Sequence, residues 1–158
     1  VRLGGVLYGL GGDVLPSGIK TPELKPVMSV VSEIALVKQV AEGETVGYGR
    51  TFAARRESVI ASVPIGYYDG YARNLSNLGI MIVNGKIAPV VGRISMDWVT
   101  IDISEIAGAN AGTWVTVIGS EHDISIKAED IAAMLSTISY EVTCGISTRV
   151  PRIFEEKI

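Results

Sequence analysis

The chain has one cysteine, Cys144, and one histidine, His122. A lone thiol cannot close an internal disulfide and suits a reducing compartment, which points to the cytoplasm. A lone imidazole cannot build a histidine metal cluster, so no metal is expected. Basic residues are not in surplus: 14 Lys and Arg stand against 17 Asp and Glu, giving a net charge of -3 and a pI of about 5.2. That balance argues against a nucleic-acid partner and against an anionic membrane surface. No apolar run approaches the ~18 residues that a membrane span needs, and no signal peptide opens the chain. An initiator Met is missing as well. The opening Val1 to Leu10 begins inside a strand-like pattern, so a fragment of a longer protein is expected.

What is present is the composition of a soluble globular domain, 47% hydrophobic and 20% charged over 158 residues. A chain of that length can bury roughly two-thirds of the surface it exposes when unfolded. Residues 11–26 are rich in Gly, Pro and Ser and lack periodicity, which reads as a linker. Beyond it, 27–40 and 58–63 are dense in β-branched residues suited to a pleated surface. In Ile80 to Val91 the pair Asn84-Gly85 tolerates the positive φ angles of a two-residue type I′ turn and predicts a hairpin. Residues 98–103 alternate, and a further strand over 113–118 follows the turn Gly108 to Gly112.

One helix is expected after Ser125, whose hydroxyl could cap it, with Ile131, Met134, Leu135 and Ile138 on one buried stripe. Frequent switching between strand and turn with one good helix predicts a mainly β domain, a barrel or sandwich.

Periodicity carries no reaction. Five clusters place polar groups where a core or an ordinary loop does not need them: Arg2 with Gly4-Gly5, Tyr48 between Gly47 and Gly49, Gly66 to Arg73, Arg93 to Asp97, and Ser139-Tyr140-Glu141. Each has a plain reading by itself. A tyrosine between glycines is usually a turn residue. Two tyrosines in a Gly-bounded loop cap a core edge. Arg93 beside Met96-Asp97 is an exposed ion pair worth about 0–1 kcal/mol. Gly4-Gly5 is a turn, although free N–H groups there could hold a phosphate.

Taken together and in order, the chain resembles the alanine racemases. The matching stretches are Val-Arg-x-Gly at the start, Gly-Tyr-Gly-Arg-Thr, Pro-Ile-Gly-Tyr-x-Asp-Gly, Val-Gly-Arg-Ile-Ser-Met-Asp, Ser-Tyr-Glu and Arg-Val-Pro-Arg. The resemblance spans essentially the whole chain. It implies an enzyme that interconverts L- and D-alanine, supplying D-alanine for peptidoglycan. The expected cofactor is pyridoxal 5′-phosphate, held through a Schiff-base lysine on an N-terminal (β/α)₈ barrel that precedes a C-terminal β domain. Residues 1–10 would then be the last strand remnant of that barrel, 11–26 the linker and 27–158 the β domain. No lysine here, including Lys20, Lys38 and Lys86, lies in a motif matching the cofactor lysine.

The resemblance also implies roles for individual residues. Tyr48 matches the base that exchanges the Cα proton on one face of the substrate, opposite the absent lysine. Two opposed bases suit racemisation, because one base tends to return the proton to the face it left. A free tyrosine holds its proton to a pH of about 10, so such a base needs positive charge or donors nearby. Arg2 matches the arginine facing the pyridine nitrogen. A guanidinium stays a donor and cannot hand that nitrogen a proton, which limits delocalisation into the ring and disfavours transamination. Gly4, Gly5 and Tyr140 match groups holding the cofactor phosphate, and Met96 matches the residue whose backbone N–H meets the substrate carboxylate. Tyr67 matches a tyrosine at the inner entrance, with Arg73 and Arg93 outside it.

The implied assembly is a head-to-tail homodimer with shared active sites. Tyr48, Tyr67 and Met96 would serve the partner's cofactor, and Arg2, Gly4, Gly5 and Tyr140 the chain's own.

The chain departs from the family pattern in places. Gly47 replaces the commoner Ser and should loosen the backbone before Tyr48. Tyr68 stands where Ala is usual, and its bulk at the entrance could alter substrate preference. Phe154 replaces a frequent Tyr, whereas Cys144 falls in a family Cys position and reads as a small packed residue. Two other readings stay open: a serine or broad-specificity amino-acid racemase, and a β module that binds a partner without catalysis.

Overall fold

The computed structural model describes residues 2–14, 18 and 23–154. Among the described residues ten strands follow one another as β1 (Val30–Glu33), β2 (Leu36–Val40), β3 (Thr45–Val46), β4 (Phe52–Ala53), β5 (Ser58–Val63), β6 (Ile80–Val83), β7 (Lys86–Pro89), β8 (Val99–Asp102), β9 (Trp114–Glu121) and β10 (Ile124–Ile126). Two short helices, α1 (Ala128–Leu135) and α2 (Ser139–Cys144), close the order. The mainly β architecture is the one the sequence implies.

One sheet runs β1-β9-β6-β7, with β10 on β9, a second runs β2-β5-β8, and β3 and β4 pair by themselves, all antiparallel. The chain changes sheet at two corners. Between β1 and β2, the Ile34 N–H donates to the carbonyl of Thr113, just before β9 of one sheet, and the next N–H, Ala35, donates to Ser62 in β5 of the other. After β7, Val90 N–H donates to Gly79 and Val91 N–H to Thr100. Joined at both corners, the sheets form a barrel-like enclosure, which leaves few unpaired edges. Ala61, Val63, Met81, Ile82, Val83, Val99, Ile101, Val115 and Val117 fill it, all but inaccessible to solvent.

The Asn84-Gly85 hairpin is present, with φ of 49° and 69° at its two central residues and Val83 opposite Lys86. The helix expected after Ser125 starts later. Ser125 lies in β10, and α1 begins after Lys127, whose N–H is accepted by the Asp130 carboxylate at 2.7 Å. Ile131, Met134 and Leu135 do pack on the core, but Ile138 is 44% exposed. Ser136 adopts φ 56° and ends α1, so Ile138 precedes α2 instead of continuing the stripe.

The sequence predicts a strand over 1–10; in the described part of that stretch Gly5–Tyr8 instead make one 3-10 turn, closed by left-handed Gly9. A strand needs a neighbour for its ladder, and among the described residues no strand pairs with this segment. Of the expected linker, 15–17 and 19–22 lie outside the described residues, as does Lys20. Asp13 has a specific task. Its carboxylate accepts from the Ser139 N–H at 2.6 Å and the Ser139 hydroxyl at 2.9 Å, capping α2.

Tyr71 sits within the core, its hydroxyl only 3.5 Å from the Ile80 carbonyl. Burial pushes its phenol above the usual value. As pH rises past about 10, the unfolded chain loses a proton that the folded one keeps, so stability should fall by up to about 1.4 kcal/mol per pH unit. Tyr71→Phe should flatten this alkaline loss in urea titrations run from pH 8 to 11. An equally steep loss in the variant would show that burial of Tyr71 is not its source.

Candidate active site

The sequence-derived residues fall into two groups. The first is a wall of three stacked loops. Tyr48 projects from the turn between β3 and β4 and is 73% exposed. Gly47 holds φ 77° and ψ 179°, a conformation that only glycine adopts at little cost, and a Cβ there would stand 3.0 Å from the Arg93 N. The glycine preceding Tyr48 therefore serves a tight fit against the next loop, where the sequence suggested looseness. Gly92 meets the same turn from the other side, since its Cβ would lie 2.8 Å from the Val46 O. A Cβ on Gly49 would stand 3.5 Å from the Arg93 guanidinium, so a fixed positive charge borders the Tyr48 turn.

The Arg93–Asp97 loop in turn supports the Tyr67 loop. Tyr67 N–H donates to Ser95 O and Tyr68 N–H to Met96 O, each at 3.0 Å. Gly66 fits so closely that a Cβ would overlap the Met96 carbonyl. Tyr48, Arg93, Met96 and Tyr67 thus share one surface of consecutive loops. Arg73 is exposed in a 3-10 turn, Arg73–Leu75. It joins the wall through its neighbours: Ser76 Oγ accepts from the Ile94 N–H at 3.0 Å. Asn77, held at φ 58°, accepts from the Gly92 N–H at 2.6 Å and donates to Thr51 Oγ1 at 3.1 Å. That one side chain ties the end of the Tyr48 turn to the Arg93 loop.

Behind the wall lies an ion network. Arg149 donates from Nε and Nη2 to the two oxygens of Asp69 at 2.6 and 2.9 Å, and from Nη2 to Asp97 at 2.7 Å. Its guanidinium lies 4.5 Å above the Tyr68 ring. The hydrogen bonds to Asp69 and then to Asp97 hold its proton still more firmly than usual. Arg93 and Asp97 are therefore not an ion pair; the partner of Asp97 comes from the C-terminal segment. Tyr68 is likewise engaged with Arg149, a role its position in the entrance motif did not suggest.

The second group lines a cleft of about 690 Å³ walled by Gly4, Gly5, Tyr8, Val27, Ile118, Ile126 and Tyr140 among others. A Cβ on Gly5 would overlap the Tyr140 ring, which locates the two side by side. The Gly4 and Gly5 carbonyls accept from Leu7 and Leu10, whereas their N–H groups and the Tyr140 hydroxyl have no hydrogen-bond partner among the described residues. Unclaimed donors beside a glycine cradle fit a phosphate-bearing group. Arg2 is exposed two residues before Gly4. Cys144, expected to be packed, is exposed and lines this cleft at the end of α2. None of Tyr48, Tyr67, Arg73, Arg93 and Met96 lines it.

Arg149, Asp69, Asn77 and Asp13 went unmarked in the sequence reading as functional residues. Asp69 and Arg149 lay inside quoted motifs, yet nothing local links residues 80 positions apart.

The chain matches known proteins over nearly its full length. Residues 27–154 match the family model "Alanine racemase, C-terminal domain". Alanine racemase of Geobacter sulfurreducens is 43% identical over 98% of this chain, and that of Clostridium novyi 46% over 98%. In each case the chain spans 40% of the relative's length. Among solved structures, alanine racemase from Bacillus anthracis with bound L-Ala-P superposes with a TM-score of 0.88 at 38% identity, covering 96% of this chain and 38% of that one. The enzyme from Bartonella henselae with covalently bound pyridoxal phosphate gives 0.82 at 34%, covering 94% and 39%. The chain belongs to the alanine racemase family and corresponds to its C-terminal domain.

Proposed function

We propose that this chain is the C-terminal part of a cytoplasmic, pyridoxal-phosphate-dependent alanine racemase and that Tyr48 is one of its two proton-transfer bases. The observation that carries the reading is the single wall bearing Tyr48, Tyr67, Arg93 and Met96, built by loops in direct backbone contact. Pyridoxal phosphate, when bound, supplies the electron sink that makes the substrate Cα proton removable. Tyr48 takes or returns that proton at its hydroxyl oxygen. The Met96 N–H receives the substrate carboxylate, and Tyr67 narrows the approach to short side chains. Arg73 and Arg93 draw the anionic end of an amino acid inward.

Gly4, Gly5 and Tyr140 hold the phosphate, and Arg2 faces the ring nitrogen. The relative with covalently bound pyridoxal phosphate supports the choice of cofactor, and the unclaimed N–H groups of Gly4 and Gly5 beside Tyr140 support where its phosphate would lie. The cofactor lysine belongs to a preceding barrel, to which we assign residues 1–10, with 11–26 as linker. Because no wall residue lines the Gly5–Tyr140 cleft, each group needs a complement from elsewhere. A homodimer in which the wall closes over the partner's cofactor supplies it.

The full-length protein with pyridoxal phosphate should convert L-alanine to an equal mixture of enantiomers, followed by chiral chromatography from either side. Turnover of serine at a comparable rate would replace the alanine assignment by a broader one. No conversion of either amino acid would leave the non-catalytic module as the better reading.

A further inference from the structure

We infer that Arg149 is a positioning residue whose three-way ion network holds the Tyr67 and Met96 loops at fixed spacing, and so sets substrate affinity. What the wall binds rests on the racemase reading; the clamp itself does not.

Each loop has one carboxylate directed at the same guanidinium. Asp69 lies two residues after Tyr67 and is 8% exposed; Asp97 follows Met96. The fork of Arg149 spans both, with contacts of 2.6, 2.9 and 2.7 Å. Two like charges this close repel unless a cation lies between them, so removing the guanidinium drives the loops apart. Asp69 passes the constraint on: its Oδ2 also accepts from the Gly66 N–H at 2.8 Å, and its carbonyl accepts from Ser147 N–H at 3.0 Å. Gly66 is the residue that presses against the Met96 carbonyl.

Arg149 is anchored in turn. It follows a segment that packs tightly on the Tyr67 loop, since a Cβ on Gly70 would lie 2.5 Å from the Gly145 O. Arg152 adds three bonds to the carbonyls of Ile146, Ser147 and Val150 and stiffens that segment. The Tyr68 ring covers one face of the guanidinium and favours the cation. The turn that carries Tyr48 is held by different contacts: Gly47 and Gly49 lie against Arg93, Val46 against Gly92, and Thr51 accepts from Asn77. Loosening the clamp should therefore weaken binding while leaving proton transfer nearly intact.

The test uses the full-length protein with pyridoxal phosphate bound and two variants, Arg149→Lys and Asp97→Asn. A lysine is a point charge and cannot span two carboxylates as a planar fork does. Arg149→Lys should raise the alanine KM about tenfold with kcat within about threefold. Amide exchange should quicken about tenfold over 66–70 and 95–98 while staying unchanged in β6. Asp97→Asn keeps the Asp69 fork, so exchange should quicken over 95–98 alone. Unchanged exchange and KM in both variants would overturn the clamp. So would faster exchange throughout, β6 included, which would make Arg149 a general stability group. Local loosening in a protein whose wild type racemises nothing would keep the clamp and remove the racemase reading.

Discussion

Tyr48→Phe in the full-length protein should lower alanine racemisation in both directions by about 10³-fold, within the 10²–10⁴ that a positioned proton-transfer group contributes. The substitution removes one oxygen and little else. With 73% of its surface exposed, Tyr48 fills no core, and its turn is shaped by Gly47, Gly49 and the close approach of Gly92 and Arg93. Phenylalanine can occupy the same turn, so melting temperature and cofactor content should match the wild type. A second signature separates a base from a binding residue. With one base gone, the remaining one still exchanges the Cα proton on its own face. Incubation in heavy water should then introduce deuterium into one enantiomer without inverting it. A variant that racemises at the wild-type rate, or that loses cofactor and activity together, would remove Tyr48 from the chemistry.

How far the sequence speaks depends on how local each feature is. The Asn84-Gly85 hairpin is encoded by two adjacent residues whose φ angles few others tolerate, and the structure keeps its register. Strand β5 was legible for a similar reason, as a short stretch dense in β-branched Val and Ile suited to a pleated sheet. The start of α1 was misread because Ser125 and Asp130 both carry capping oxygens. The pairing of Ser125 with Ser120 in the β9–β10 ladder decides between them, and that pairing is not visible in a helical window. The wall was legible as motifs but not as a mechanism of assembly. Tyr48, Tyr67 and Met96 stand in recognisable stretches, whereas the contacts that bring them together are backbone hydrogen bonds and glycine clearances between loops. Arg93 looked like the partner of Asp97 because it is four residues away. The real partner, Arg149, is 52 residues away and reaches it only once the C-terminal segment has folded over the loop.

Gly66 shows most directly what that assembly tolerates. In Gly66→Ala the new Cβ would overlap the Met96 carbonyl and lie 2.5 Å from the Ser95 O. Both obstacles are backbone, and both oxygens already accept from the Tyr68 and Tyr67 N–H groups, so neither can swing aside as a side-chain tip would. Relief requires the two loops to separate, breaking that pair of hydrogen bonds and stretching the Asp69 bond to the Gly66 N–H. Overpacking of this kind costs about 1–3 kcal/mol, and the upper end is expected where no side chain can yield. For a domain of this size the melting temperature should fall by about 10 °C. Unlike Tyr48→Phe, the change displaces Met96 and Tyr67 together, so the alanine KM should rise at least tenfold. Gly12→Ala provides the comparison, because a Cβ there meets nothing within 4 Å and should leave melting and KM unaltered. If Gly66→Ala melts with Gly12→Ala and keeps the wild-type KM, the two loops are not in the contact on which the wall depends.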